Sequence, residues 1–145
     1  MREIGRETVP GALYQIITGI VILTVVTIAY GGTFVLRVIR GSLPANDLQK
    51  SFFRAGHAHA GVLVMLGLLV LTIEQISNVR APYPTLSLGI LFAAILMPAG
   101  FFLSVIGRNP SRPNRAIALL WIGAGVLTVG LIAAGLGLIL TGMNS

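Results

Sequence analysis

The two histidines of the chain, His57 and His59, are its clearest candidates for chemistry, because they lie together in "FFRAGHAHAGVLVMLGLL" (52–69). An imidazole ring can bind a metal ion or haem, or carry a proton near neutral pH. On an α-helix, residues two apart point about 200° away from each other. The two rings therefore cannot both bind one metal ion from a regular helix, and each is a separate candidate ligand or proton carrier.

The surroundings of the histidines leave two interpretations open. The neighbouring residues are small, which predicts room for an adjacent helix or a flat cofactor: Gly56, Ala58, Ala60 and Gly61. Arg54 could bind an anionic headgroup or a haem propionate. A helix beginning near Asp47 places His57 about 15 Å along it, near a membrane interface. The rings are then either interfacial groups bonded to a carbonyl or water, or functional groups, as ionisable residues inside membranes usually are.

The hydrophobic segments predict the fold class. The chain is 55% hydrophobic and only 10% charged, and four stretches lack Asp, Glu, Lys and Arg: 8–36, 55–73, 81–107 and 116–145. About 20 apolar residues cross the hydrocarbon core as a helix. We expect an all-α integral membrane protein, an antiparallel four-transmembrane-helix bundle forming one domain over 1–145. The predicted helices are 10–37, 47–78, 85–106 and 114–141.

The basic residues predict the orientation. Seven of the ten flank the first and third connections: Arg37, Arg40, Lys50, Arg54, Arg108, Arg112 and Arg115. The positive-inside rule puts those connections in the cytoplasm and both termini outside, in a multi-pass protein of the cell membrane. Such connections also suit anionic lipid headgroups. Because the cations lie at helix ends, the net charge of +6 does not indicate nucleic-acid binding.

Apart from Asp47 at the start of the second helix, Glu74 is the only acidic residue in the four predicted helices, and it lies near the outer end of that helix beside Gln75. Gln15 and Thr18, near the outer end of the first helix, could face it. These four residues predict a small polar cluster in the outer leaflet. The alternative is that Glu74 reaches water at the outer surface.

The third and fourth helices carry proline and glycine signals. Pro98 lies inside the third helix, where it removes a backbone hydrogen bond and predicts a kink. The fourth helix is rich in glycine, at positions 123, 125, 130, 135 and 137. Small residues let helices approach closely in lipid, so we expect tight packing along this helix.

The segment "RAGHAHAGVLVMLGLL" resembles the His-Ala-His opening of a helix in small four-helix membrane proteins related to haem-copper oxidase subunit I. It is also similar to the Gly/His-rich helix of hydroxylaminobenzene mutase-like membrane proteins. The first resemblance implies haem or metal ligation by His57 or His59. No other helix has a histidine, so a second ligand would come from another subunit or from Met65, Met97 or Met143.

Three functions fit these features, in the following order of preference. The first is a non-enzymatic accessory or structural subunit of a membrane complex, such as a respiratory one, in a homo- or hetero-oligomer. The second is a haem- or metal-linked redox protein using His57 or His59. The third is a small-molecule or proton transporter using Pro98, the histidines and Glu74. Membrane-embedded isomerase chemistry ranks below these. The chain has no cysteine, which excludes thiolate ligands and cysteine nucleophiles.

Overall fold

The computed structural model describes residues 11–144, and this part of the chain is helical. Its α-helices are α1 (Gly11–Ile39), α2 (Asp47–Ile76), α3 (Tyr83–Ser87), α4 (Gly89–Ser104) and α5 (Ala118–Met143). A 3₁₀ turn, Arg115–Ile117, precedes α5. Four helical segments are long and apolar enough to cross a membrane: Ala12–Ile39, Asp47–Ile76, Tyr83–Ser104 and Arg115–Met143. The all-helical class and the four candidate spans are therefore confirmed, although the predicted first residue of the first helix lies outside the described residues.

The start of α2 is fixed by a capping box. The Asn46 side chain accepts a hydrogen bond from the backbone N–H of Gln49 at 2.9 Å. The Gln49 side chain accepts one from the backbone N–H of Asn46 at 3.1 Å. Two backbone donors that a helix start leaves unpaired are thereby satisfied. The helix begins at Asp47, as the sequence predicts.

The third hydrophobic segment differs from its predicted bounds at both ends. Helix α3 begins at Tyr83, before the predicted position 85, because Pro84 is tolerated in the first turn of a helix. Helix α4 ends at Ser104, before the predicted position 106. There the backbone N–H of Asn114 donates to the Ser104 carbonyl at 2.7 Å. The side-chain amide of Asn114 donates to the Leu103 carbonyl at 2.9 Å. Asn114 thus satisfies carbonyls that the helix end leaves unpaired.

Helices α2 and α4 form the centre of the structure. Helix α4 packs against α2 and against α5, whereas α1 lies close to α2 alone. The buried core cluster comes from the central pair: Leu63, Val64, Ala93, Ala94 and Met97. None of the most apolar stretch of α1 is buried. Within the described part of the chain, α1 is therefore an edge helix with a single neighbour.

Glycines on α5 bring it close to α3 and α4. Gly123, Gly130 and Gly137 are buried and seven residues apart. A Cβ added at Gly123 would lie 2.6 Å from Cγ of Met97, and one at Gly137 would lie 2.6 Å from Cβ of Tyr83. These distances leave no room for a side chain, as expected for close helix packing. The other two glycines of the predicted set, at positions 125 and 135, face open space.

The first and third connections lie together at one end of the structure. The Asn46 side chain donates to Oδ1 of Asn109 at 2.9 Å and to the Pro110 carbonyl at 2.8 Å. The Gln49 side chain donates to the carbonyls of Val105 at 3.0 Å and of residue 107 at 3.1 Å. We call this set of hydrogen bonds the connection clasp. It places the seven basic residues of both connections at the same end.

Candidate functional site

His57 packs against the backbone of α1. A Cβ added at Gly32 would lie 3.2 Å from Nε2 of the ring, and one added at Gly31 would lie 3.9 Å from Nδ1. The two glycines therefore provide the space that this ring occupies. No hydrogen bond joins the ring nitrogens to any described residue. The room predicted beside His57 is filled by a neighbouring helix on this side of the ring.

His59 faces α4 instead. Its ring centroid lies 4.9 Å from that of Phe101, with the planes tilted by 39°. Its Nδ1 lies 2.8 Å from the Ala55 carbonyl oxygen. A carbonyl can only accept, so Nδ1 carries a proton and, in the neutral ring, Nε2 keeps the lone pair. That nitrogen can bind a metal or take up a proton.

The two histidines are thus directed to different helices, as their spacing on a regular helix requires. Among the described residues, no group of three or more His, Asp or Glu side chains could hold a metal ion. His59 is therefore not part of a cluster of three such side chains within residues 11–144. His59 could supply one metal ligand, but the described residues form no complete coordination sphere of His, Asp and Glu side chains around it.

The other predicted cofactor residues differ in their surroundings. Arg54 is exposed and forms no ion pair with a described residue. Met97 belongs to the core cluster, whereas Met65 and Met143 are exposed. Pro98 is buried inside α4, which continues through it to Ser104; the kink stays a prediction.

Glu74 is buried, with only 2% of its surface exposed. Its Oε2 accepts a hydrogen bond from the Ser87 hydroxyl at 2.6 Å, while Oε1 has no partner among the described residues. The same hydroxyl lies 2.9 Å from the Pro84 carbonyl. Sequence reasoning missed Ser87. The sequence pattern that could have predicted this contact is a serine shortly after a turn with two prolines. Such a turn brings the following helix back against α2, where Glu74 lies.

The four residues of the predicted polar cluster form no hydrogen bond with one another in the described part of the chain. Gln15 and Gln75 are exposed, and the buried hydroxyl of Thr18 has no partner among residues 11–144. No hydrogen bond there joins Glu74 to any of these three side chains. The alternative that Glu74 reaches outer water does not hold either, because the side chain is buried against α3.

The described residues offer little exposed catalytic chemistry. The buried polar side chains Gln49 and Glu74 bind groups of the protein itself. Among residues 11–144, Nε2 of His59 and both ring nitrogens of His57 have no hydrogen-bond partner, and of these only the His59 ring is oriented by a hydrogen bond of its own. Comparison of the chain with protein-family models, curated proteins and solved structures found no match. A function for the chain can therefore be inferred only from its own residues and contacts.

Proposed function

We propose that the protein is a multi-pass integral membrane protein whose four helical segments cross the bilayer in antiparallel order. The Tyr14 hydroxyl lies 3.3 Å from that of Thr72, whereas the Phe34 and Phe53 rings are 5.3 Å apart. Later residues of α1 thus meet earlier residues of α2, which supports an antiparallel pair. The connection clasp supports a shared cytoplasmic side for the first and third connections, because it joins the two basic ends.

Within that membrane, the function that the geometry supports best is a non-enzymatic accessory or structural subunit of a larger membrane complex. The observation that carries this proposal is the position of α1. Among the described helices it has one neighbour, α2, and the rest of its apolar surface could pack against helices of another subunit. The engagement of Glu74 and Gln49 within the protein supports the same function, because two of the buried polar side chains of residues 11–144 are thereby occupied by the protein itself.

The absence of cysteine allows a direct test with single-cysteine variants. Ile20 on α1 and Ile132 on α5 are similarly exposed, at 57% and 56%. A thiol-reactive photocrosslinker attached to Ile20→Cys in native membranes should yield one product of fixed mass. The matched Ile132→Cys variant should yield none or a diffuse mixture. Failure of Ile20→Cys to give a defined product would count against the partner face on α1.

A second candidate, a haem- or metal-linked redox protein, is favoured by the hydrogen bond of His59. Metal-binding histidines usually donate their other ring N–H to a carbonyl or carboxylate, which fixes the ring and its tautomer. Nδ1 of His59 has such a partner in the Ala55 carbonyl. Nε2 would supply one ligand at a subunit interface, and a partner chain would supply the rest.

An absorption spectrum and a metal analysis of the protein purified with its partners separate the two candidates. A colourless, metal-free complex of fixed composition supports the accessory subunit. A Soret band or bound metal that is lost in His59→Ala but kept in His57→Ala supports the redox protein. Loss in His57→Ala alone would contradict the assignment of His59 as the ligand.

A further inference from the structure

A small pocket lies at the end of the structure opposite the connection clasp. It opens between the last turn of α2, the turn before α3 and the last turns of α5. Its lining includes Ser77, Arg80, Tyr83, Leu140, Thr141 and Asn144. None of these residues belongs to the histidine or Glu74 sites, and the described residues of the lining include no acidic side chain.

Arg80 supplies the charge of this pocket. Its side chain is exposed and forms no ion pair with any residue in 11–144, where the ion pair found joins Lys50 to Asp47. The acidic residue closest in sequence is Glu74, but that carboxyl is buried and bonded to Ser87. The guanidinium therefore presents a full positive charge and its N–H donors to the pocket.

The hydroxyls and amides divide into occupied and available donors. The Thr141 hydroxyl donates to the carbonyl of residue 137 at 2.8 Å, and the Asn144 amide donates to Leu140 at 2.6 Å. The hydroxyls of Ser77 and Tyr83, by contrast, have no hydrogen-bond partner among residues 11–144. The Asn78 amide, which also lines the pocket, donates to the carbonyl of Ile76 at 3.4 Å. The two free hydroxyls and the guanidinium form a set that complements anionic oxygens.

The wall of the pocket at Tyr83 is held in place by close packing. A Cβ added at Gly137 would lie only 2.6 Å from Cβ of Tyr83 and 2.9 Å from Val79, which is itself buried. The backbone N–H of Val79 donates to the Glu74 carbonyl at 3.0 Å. The turn that carries Arg80 and Tyr83 is therefore fixed to both α2 and α5. Preorganised donors bind an anion without the cost of ordering a loop.

We propose that this pocket binds the phosphate group of an amphiphile, with the acyl chain lying along the apolar surface at Leu140. Arg80 binds two phosphate oxygens, and the hydroxyls of Ser77 and Tyr83 donate to the others. An amphiphile fits better than a free anion, because the pocket joins a polar rim to the apolar ends of α2 and α5. The site does not depend on the accessory-subunit proposal, since it consists of residues of this chain alone.

The test is a calorimetric titration, in which a short-chain phosphatidylglycerol is added to the purified protein in a neutral detergent. Arg80→Gln should weaken binding by about tenfold or more, because it removes a charge-assisted contact. Tyr83→Phe should weaken it several-fold. Arg112→Gln is the matched control, an exposed arginine at the opposite end, and should leave the affinity unchanged.

Two probes identify the source of the phosphate. Inorganic phosphate should bind much more weakly than the lipid, because it has no acyl chain. Equal affinity for the two would overturn the amphiphile assignment. Equal losses in Arg80→Gln and Arg112→Gln would overturn the pocket itself, since that result describes general attraction between a basic protein and an anionic lipid. Melting curves of both variants confirm that a loss of binding is not a loss of fold.

Discussion

The Ser87 hydroxyl donates a 2.6 Å hydrogen bond to Oε2 of Glu74, and each of these side chains is only 2% exposed. The contact joins α2 to α3 across the intervening turn. Oε1 has no partner among the described residues. Within this part of the chain, the buried carboxyl is therefore hydrogen-bonded through Ser87 alone. A buried polar group that loses its partner destabilises a protein by its full desolvation penalty.

We therefore expect Ser87→Ala to lower the free energy of unfolding by about 1–3 kcal/mol. Glu74→Gln should lower it less, because the amide oxygen can still accept from Ser87. Melting temperatures in one detergent measure both effects. Ser111→Ala, an exposed serine in the third connection, is the control and should leave the melting temperature unchanged. A Ser87→Ala variant as stable as this control would contradict the role of the hydrogen bond.

The position of Glu74 also explains why it forms no hydrogen bond with Gln15 or Thr18 of α1. Thr72 faces α1, where its hydroxyl meets Tyr14. Glu74 lies two residues further along α2 and so points about 200° away, toward α3. The sequence predicts helical periodicity, but it does not predict which helix lies against each helix face. The Asn46 capping box, by contrast, could be predicted because it depends only on local sequence.

The same distinction applies to the histidines. The divergence of the two rings follows from their spacing alone, and in the structure His57 contacts α1 whereas His59 contacts α4. That His57 would lie on Gly32, and His59 on Phe101, depends on which helices are adjacent. A short motif carries no information on that adjacency. The edge position of α1 was also beyond prediction, because apolar segments of similar length can pack in many orders.

The contact of His57 with α1 predicts a strong effect of side-chain size at Gly32. Gly32→Leu would push a side chain into the ring, since even a Cβ there lies 3.2 Å from Nε2. Overpacking of this kind destabilises by about 1–3 kcal/mol. Gly19→Leu, on the same helix but facing open space, should change stability little. Thermal unfolding of the two variants gives the comparison.

A double variant shows whether His57 is the cause. If the ring is what the new side chain meets, Gly32→Leu combined with His57→Ala should recover part of the lost stability. The two effects would then be non-additive, as expected for residues in contact. Additive losses would show that the leucine disturbs α1 by another route.

The proposed orientation makes an independent prediction. Ser111→Cys, in the third connection, should react with a membrane-impermeant thiol reagent only after cells are opened. Asn144→Cys, at the end of α5, should react in intact cells. Both positions are exposed, and the chain has no native cysteine, so labelling reports on these sites alone. The reverse pattern would place the basic connections outside and overturn the assignment made from the positive-inside rule.

The connection clasp predicts that Asn46 contributes more to stability than an ordinary helix cap. Asn46→Ala removes the cap of α2, which by itself lowers stability by about 0.5–2 kcal/mol. It also removes the hydrogen bonds to Asn109 and to the Pro110 carbonyl. Asn109→Ala removes only the first of these and should be the milder change, measurable as a smaller fall in melting temperature. Equal falls would mean that the side-chain bond between the connections, and not the cap, dominates this end of the molecule.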